Sequence, residues 1–311
     1  MMNASVILCT YNRCQSLSSA LNSLAVLNVP TTIQWEVLVV DNNSNDETQQ
    51  VVKRFCQLHP ERFRYLFEPR QGKSYALNSG ISSALGDILT FVDDDVVAEP
   101  GWLYDLINPL FGGEWAGCGG RILPEPGFSP PAWLALQGPL SQLGALCAYF
   151  DLGDVPGSLT RPPVGTNMAY RKEMFAKYGL FREDLGPRPG SELRNEDTEF
   201  GQRLLACGER LCYVPSAVVF HEINEKRVRK DFFLSWWFAF GRGFILETRK
   251  IPGTAETLKI LARIILGTPK WLAATDCQHR FYRKCRIWYE AGKLAAVYQL
   301  MGRGGAEAAT Q

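Results

Sequence analysis

Leu89-Thr90-Phe91-Val92-Asp93-Asp94-Asp95-Val96-Val97 (LTFVDDDVV) drives three adjacent carboxylates into an apolar, β-branched run. Such a run reads as a strand covered on both faces, and the acids mark where it leaves the core. Three neighbouring anions repel one another and lose solvation, so without compensation at least one takes up a proton. A bound cation removes the conflict. Alternate side chains of an extended segment share a face, so Asp93 and Asp95 are expected to face one crevice while Asp94 faces elsewhere or contacts a ligand sugar. An all-oxygen set suits Mg²⁺ or Mn²⁺, which in turn bring phosphate oxygens. The competing reading is a polar strand-to-loop cap in which Asp94 or Asp95 starts the next helix.

The same punctuation surrounds this stretch. Short Val/Ile/Leu runs (SVILCT, WEVLVVD, FRYLFE, ILTFVDDD) alternate with helical patterns over residues 15–27, 46–58, 73–84 and 101–111. That is βαβα order, and continuous rather than alternating apolar runs predict a mainly parallel sheet with helices on both faces. Ligands bind such sheets beyond the strand carboxyl ends. The polar clusters stand there: Thr10-Tyr11-Asn12-Arg13, Asp41-Asn42-Asn43-Ser44 and Asp93-Asp94-Asp95. His221 closes a later apolar run, Ser216-Ala217-Val218-Val219-Phe220, and an imidazole beside carboxylates favours Mn²⁺. Asn195-Glu196-Asp197-Thr198-Glu199 reads first as a helix start, with Asn capping and acids complementing the macrodipole. A carboxylate at a cleft edge is also what deprotonation of a hydroxyl requires, and both readings stand on the residues alone.

Composition sets the outer limits. With 311 residues and 46% hydrophobic content, the chain can bury a full core. Nine cysteines, odd in number and without a CxxC pair, with no secretory signal before Ala4, point to free thiols in a reducing, cytoplasmic compartment. The most apolar stretch, residues 232–240 (FFLSWWFAF), is far shorter than the roughly 20 residues a spanning helix needs, so no bilayer crossing is expected. The net charge of +1 hides an asymmetry. Residues 226–303 hold about sixteen Lys/Arg against about five Asp/Glu, a helical, basic, aromatic-rich tail that predicts peripheral contact with an anionic membrane or a solvated helical face. Between residues 124 and 163 the chain turns rich in Pro and Gly, which predicts a surface loop or lid. The expected organisation is an α/β domain over residues 1–225, divided near 122 into two halves, and a helical extension over 226–311.

Taken together, Cys9-Thr10-Tyr11-Asn12-Arg13, Val39-Val40-Asp41-Asn42-Asn43-Ser44, residues 71–81 (QGKSYALNSGI), Phe91-Val92-Asp93-Asp94-Asp95 and Asn195-Glu196-Asp197 resemble the family 2 glycosyltransferases of GT-A fold. The resemblance covers roughly residues 4–221. It implies that Thr10, Tyr11 and Asp41 hold the nucleotide base, and that Arg13, Arg70 and Lys73 belong to the nucleotide-sugar site. It implies that Asp93 and Asp94 contact ribose or metal, and that Asp95, with Asp93 and His221, ligates Mn²⁺ or Mg²⁺. Asp197 looks like the family's catalytic base, with Glu196 beside it. The implied reaction is an inverting displacement from a nucleoside-diphosphate sugar, UDP-linked by default, to a glycan or lipid-linked acceptor in polysaccharide or glycoconjugate synthesis. Acceptor contacts are expected from Asn167 and Trp133, although Trp133 also reads as a packing residue. The rival activities are a sugar-phosphate nucleotidyltransferase, disfavoured by the lack of an early glycine-rich basic loop, and a non-catalytic sugar- or nucleotide-binding relative. Nucleic acid is not an expected partner.

Overall fold

The computed structural model describes residues 3–136, 138–147, 149–189, 194–223, 228–248 and 252–308. The expected domain boundary near residues 225 and 226 lies outside them. The chain divides into two compact units, Met1–Pro126 with Ala148–Ser191 and Asn195–Glu222, and Gly127–Cys147 with Glu192–Arg194 and Ile223–Gln311.

The first unit begins β1 (Asn3–Thr10), α1 (Cys14–Ala25), β2 (Gln34–Asp41), α2 (Thr48–Leu58), β3 (Phe63–Phe67), α3 (Lys73–Ser83) and β4 (Ile88–Asp93). Every residue from Val37 to Asp41 and from Ile88 to Val92 is buried, as covering of both sheet faces demands. It continues through β5 (Val96–Ala98), α4 (Trp102–Ile107), β6 (Gly117–Pro124), β7 (Gly157–Leu159), β8 (Asn167–Arg171), α5 (Lys172–Tyr178), α6 (Glu196–Ala206) and β9 (Leu211–His221). The nine-stranded sheet runs β3-β2-β1-β4-β8-β6-β9-β5, with β7 paired to β9. The pairs β3-β2, β2-β1 and β1-β4 are all parallel, whereas β8 enters antiparallel to both β4 and β6.

Strand β9 begins well before the run 217–220 that the sequence marks. Pro215 interrupts the apolar pattern, and the sheet absorbs it as an irregularity: Gly120 pairs Val214, and the next partner, Arg121, pairs Val218. An aromatic cluster then seats α6. The Phe200 ring stacks on Phe175 at 4.5 Å and meets Tyr170 edge-on at 5.1 Å, fixing the helix start that carries Glu196 and Asp197.

The second unit comprises α7 (Lys230–Thr248), α8 (Thr254–Leu272) and α9 (Cys277–Ala308), with the Pro-rich stretch Gly127–Cys147 gathered to them. The run FFLSWWFAF lies in α7, where Phe233 and Trp237 are buried with Leu134, Leu143, Phe281 and Tyr289. Packing therefore takes these aromatics. Helices α7 and α9 cross at two glycines: a Cβ on Gly241 or Gly292 would lie 2.0 Å from the carbonyl oxygen of Tyr289 or Phe238, respectively. Among the described residues no helix is long and apolar enough to cross a membrane.

Candidate functional site

Parallel pairing sets the polar strand ends level. Thr10 is opposite Asp41, and Cys9 is opposite Asp93, so the carboxyl ends of β1, β2 and β4 open onto one edge of the sheet. The loops leaving that edge are bonded to each other. Asn12 N–H donates to Ser44 Oγ at 3.0 Å, Asn45 N–H to Asn12 Oδ1 at 2.8 Å, and Cys14 N–H to Asp46 Oδ2 at 3.1 Å. Among the described residues, the non-glycine positions with positive φ are Asn12, Asn43 and Asn195, all beside these strand ends or at the start of α6. Asparagine tolerates that conformation better than most side chains.

The three β4 acids diverge, and the strand-alternation expectation fails at this point. Strand β4 ends at Asp93, and Asp94-Asp95 form the turn into β5, so period-two alternation stops at Asp93. Asp93 accepts from Lys73 Nζ at 2.8 Å and Thr166 Oγ1 at 2.7 Å. Asp94 and Asp95 instead share Arg13, whose Nη1 lies 2.9 Å from Asp94 Oδ1 and 2.5 Å from Asp95 Oδ2; Thr10 Oγ1 also donates to Asp94 at 2.7 Å. Burial pushes the Asp94 carboxyl up to about 6 against the pull of Arg13. Asp95 is somewhat less sheltered, and His221 and Arg13 outweigh its burial and hold it well below the ordinary carboxylate range. Asp93 is likewise held low, its burial outweighed by Lys73. Asp94 is thus the most readily protonated of the three acids, and side-chain cations compensate the set: Lys73 at Asp93, and Arg13 shared by Asp94 and Asp95.

His221 reaches Asp95 through strand pairing. Strand β5 runs antiparallel to β9 with Val96 opposite His221, and Glu222 N–H donates to the Asp95 carbonyl. The imidazole Nε2 lies 3.4 Å from Asp95 Oδ1. Its buried Nδ1 has no hydrogen-bond partner.

A second cluster lines a small cleft with Cys9, Lys73, Asp93, Gly165, Glu196 and Asp197. Asp197 Oδ2 accepts from Gly165 N–H at 2.6 Å, and Oδ1 from Thr198 N–H at 2.7 Å. Both oxygens are oriented, and each retains acceptor capacity. Glu196 is buried, 3.7 Å from Lys73 Nζ. Burial pushes its carboxyl up to about 7, Lys73 opposing and Asp197 reinforcing. The Lys73 ammonium is firmly charged: burial would lower it, but Asp93 and Glu196 outweigh that. Thr166 and the Gly165 N–H join the site without having been marked individually, because only the fold brings them to Asp93 and Asp197.

The remaining expected residues are distributed around this edge or away from it. Asp41 is buried, accepting from Ser44 N–H and Tyr65 Oη, both at 2.9 Å. Tyr11 is exposed and follows Thr10, the residue paired opposite Asp41. Arg70 forms an ion pair with Glu68 at 3.0 Å and stacks over Tyr75. Asn167 is fully buried: its amide donates to the Arg121 and Ala217 carbonyls and its oxygen accepts from Trp102 Nε1. Those bonds fill its capacity with framework contacts. Trp133 belongs to the second unit, where its ring meets Phe233 and Phe281 edge-on at 5.1 and 4.7 Å.

Asp95 and His221 are the adjacent oxygen and nitrogen donors that could hold a divalent ion, with His221 Nε2 3.4 Å from Asp95 Oδ1; Arg13 Nη1 now occupies the cationic place beside Asp95 Oδ2. Asp93 lies with Lys73 rather than with this pair. Among the described residues no group of three or more His, Cys, Asp or Glu could hold a metal ion.

The chain is 26% identical over 253 residues to a glucosyl-dolichyl phosphate glucuronosyltransferase of Haloferax volcanii, covering 78% of this chain and 76% of that protein. It is 26% identical over 220 residues to the succinoglycan biosynthesis protein ExoM of Rhizobium meliloti, covering 70% and 66%. In fold it is similar to the mannosyltransferase PcManGT from Pyrobaculum calidifontis, solved with GDP-Man and Mn²⁺, with TM-score 0.59, 17% identity and 98% and 80% of the two chains covered. The fold is that of the GT-A glycosyltransferases. Residues 5–179, which carry Thr10, Asp41, Lys73 and the β4 acids, match the model of glycosyl transferase family 2, and the chain belongs to that family.

Proposed function

We propose that this glycosyltransferase moves a sugar from a nucleoside-diphosphate sugar, UDP-linked by default, to a hydroxyl of a glycan or lipid-linked acceptor, inverting the anomeric configuration. The observation that carries this reading is the cleft where Asp197 meets Lys73 and Asp93, at the same sheet edge as the Asp94–Asp95–Arg13 cluster. The relatives named for a dolichyl phosphate sugar and for succinoglycan support an acceptor of lipid-linked or polysaccharide type.

In this reading Asp197 accepts the proton of the acceptor hydroxyl on a carboxylate oriented by Gly165 and Thr198 N–H. The acceptor oxygen forms its bond to the anomeric carbon on the face opposite the nucleoside diphosphate, whose bond to that carbon breaks. Lys73, Arg13 and Arg70 offer positive charge to the diphosphate, and Glu196 supports the position of Lys73. A divalent ion held by Asp95 and His221 would supply Lewis-acid stabilisation of the departing charge. Thr10, Tyr11 and Asp41 form the nucleoside side, and Asp93 and Asp94 its sugar side. Trp133 and Asn167 take no direct part in this reading, since both are engaged in packing or framework bonds. The reaction belongs on the cytoplasmic side, where free thiols persist.

The test is thermal stabilisation by UDP, GDP, dTDP, CDP and ADP, each with and without Mn²⁺, on the wild type and Asp95→Ala. Stabilisation by one nucleotide that needs both Mn²⁺ and Asp95 is the expected result and selects the donor series. With that donor, Asp197→Asn should keep the nucleotide-induced shift and lose turnover by about 10² to 10⁴. Nucleotide and metal binding without any transfer or hydrolysis would support the non-catalytic alternative instead.

A further inference from the structure

Helix α8 is only partly covered. Of its 19 residues only Ile260 is fully buried. Leu258, Ile265, Leu266 and Leu272 are 59%, 68%, 62% and 59% exposed. Leu258, Ala262, Ile265, Pro269 and Leu272 recur at intervals of four and three, the spacing that places side chains in one stripe along a helix. Ile260, on the opposite side of the wheel, faces the unit. A solvent-facing apolar stripe of this length is not a normal helix surface.

Beside the stripe runs a cationic groove. Lys259, Arg263 and Lys270 of α8 and Arg283 and Arg286 of α9 line an opening of about 480 Å³ that also contains Leu266 and Ile287. The cations exceed the acids near them. Glu290 sits at the groove, buried, with Oε2 3.7 Å from Arg263 and no hydrogen-bond partner; Glu256 meets Lys259 at 3.4 Å and Arg263 at 3.9 Å. Arg283 also donates to the Lys270 carbonyl, which fixes the two helices across the groove. An occupant must therefore be apolar where it meets the stripe and anionic where it meets the groove.

We propose that α8 is an interfacial helix: its apolar stripe enters the acyl boundary of an anionic bilayer, and the groove between α8 and α9 receives the phosphate of a lipid headgroup. The charge pattern selects this occupant, because an apolar helix face bordered by Lys and Arg is what binds at an anionic lipid surface. It relocates the membrane contact from the aromatic run of α7, whose Phe233 and Trp237 are buried and whose other aromatics are half-buried, to α8. The inference does not depend on the transfer reaction, and its test reads no activity.

The experiment is flotation of the full chain with vesicles of phosphatidylcholine alone or with phosphatidylglycerol admixed, over rising NaCl. The expected result is partition to the anionic vesicles at least about tenfold above the neutral ones, falling as salt rises. Ile265→Asp with Leu272→Asp should abolish flotation at an unchanged melting temperature, because both positions are solvent-facing. Arg263→Ala, Lys270→Ala and Arg283→Ala should each weaken anionic partition by about fivefold and leave neutral partition unaltered. Absence of flotation, or equal salt-independent flotation on both vesicles, would overturn the proposal. So would a dimer by light scattering that dissociates in the Ile265→Asp, Leu272→Asp variant, since a second copy would then cover the stripe. Glycerol phosphate that stabilises the chain through the groove cations, without any flotation, would assign the groove to a free anion and likewise overturn it.

Discussion

Glu196 is a buried carboxyl set against a buried ammonium and a second acid, and its protonation differs between folded and unfolded chains. Its folded value, about 7, stands above the ordinary glutamate value of 4.5. The folded state therefore binds more protons between those limits, and the contribution from this group is fully present below pH 4.5 and lost as pH rises towards 7. Glu196→Gln should flatten that slope: unfolding curves of wild type and variant should converge in acid and separate by about one to three kcal/mol near neutrality, with the variant the more stable. Parallel curves across that range would assign the buried proton elsewhere. The identity of the acids was legible in the sequence, because carboxylates at strand ends are chemically conspicuous. Their partners were not. Asp93, Asp94 and Asp95 diverge because the strand ends at the first of them, and Thr166 and Gly165 acquire their roles only when β8 and α6 come to the β4 edge.

At the scale of elements, the close crossing of α7 and α9 gives a sharp expectation. Gly241→Ala and Gly292→Ala each place a methyl group against backbone, which flexible side chains cannot relieve. Either substitution should destabilise the helical unit by about 1–3 kcal/mol, read as a lower denaturation midpoint. The strands from β1 to β4 and the helices between them stood out because each is an unbroken apolar or periodic run. Antiparallel β8, the two short strands β5 and β7, and the early part of β9 were less visible: three-residue strands carry almost no pattern, and Pro215 disguises continuity. The Pro-rich stretch Gly127–Cys147 reads as a loop by composition, yet Leu134 and Leu143 are buried among the helices, so composition alone did not reveal what it packs against.

The whole molecule carries a net charge of only +1. Residues 226–303 hold the excess of cations and the rest of the chain the excess of acids, so molecules in solution attract by opposed patches while their monopoles are too weak to keep them apart. Light scattering should show net attraction at low ionic strength, with the second virial coefficient rising as salt screens it over distances of about 10 Å at 0.1 M. A coefficient insensitive to salt would mean that the two charge populations are internally neutralised. This asymmetry was readable from residue counts. Which helix face concentrates the cations was not, because it depends on Arg283 and Arg286 of α9 standing across from Lys259 and Arg263 of α8.

The bonds joining Asn12 to Ser44 and Asn45, and Cys14 to Asp46, tie the loops after β1 and β2 into one body. Their conformational entropy is lost when the chain folds, so a ligand entering at this sheet edge does not have to order them again. Preorganisation on that side leaves the association rate governed by encounter rather than by loop closure. A ligand that tightens one loop must also tighten the other, and the two would exchange amide hydrogens as a single cooperative segment.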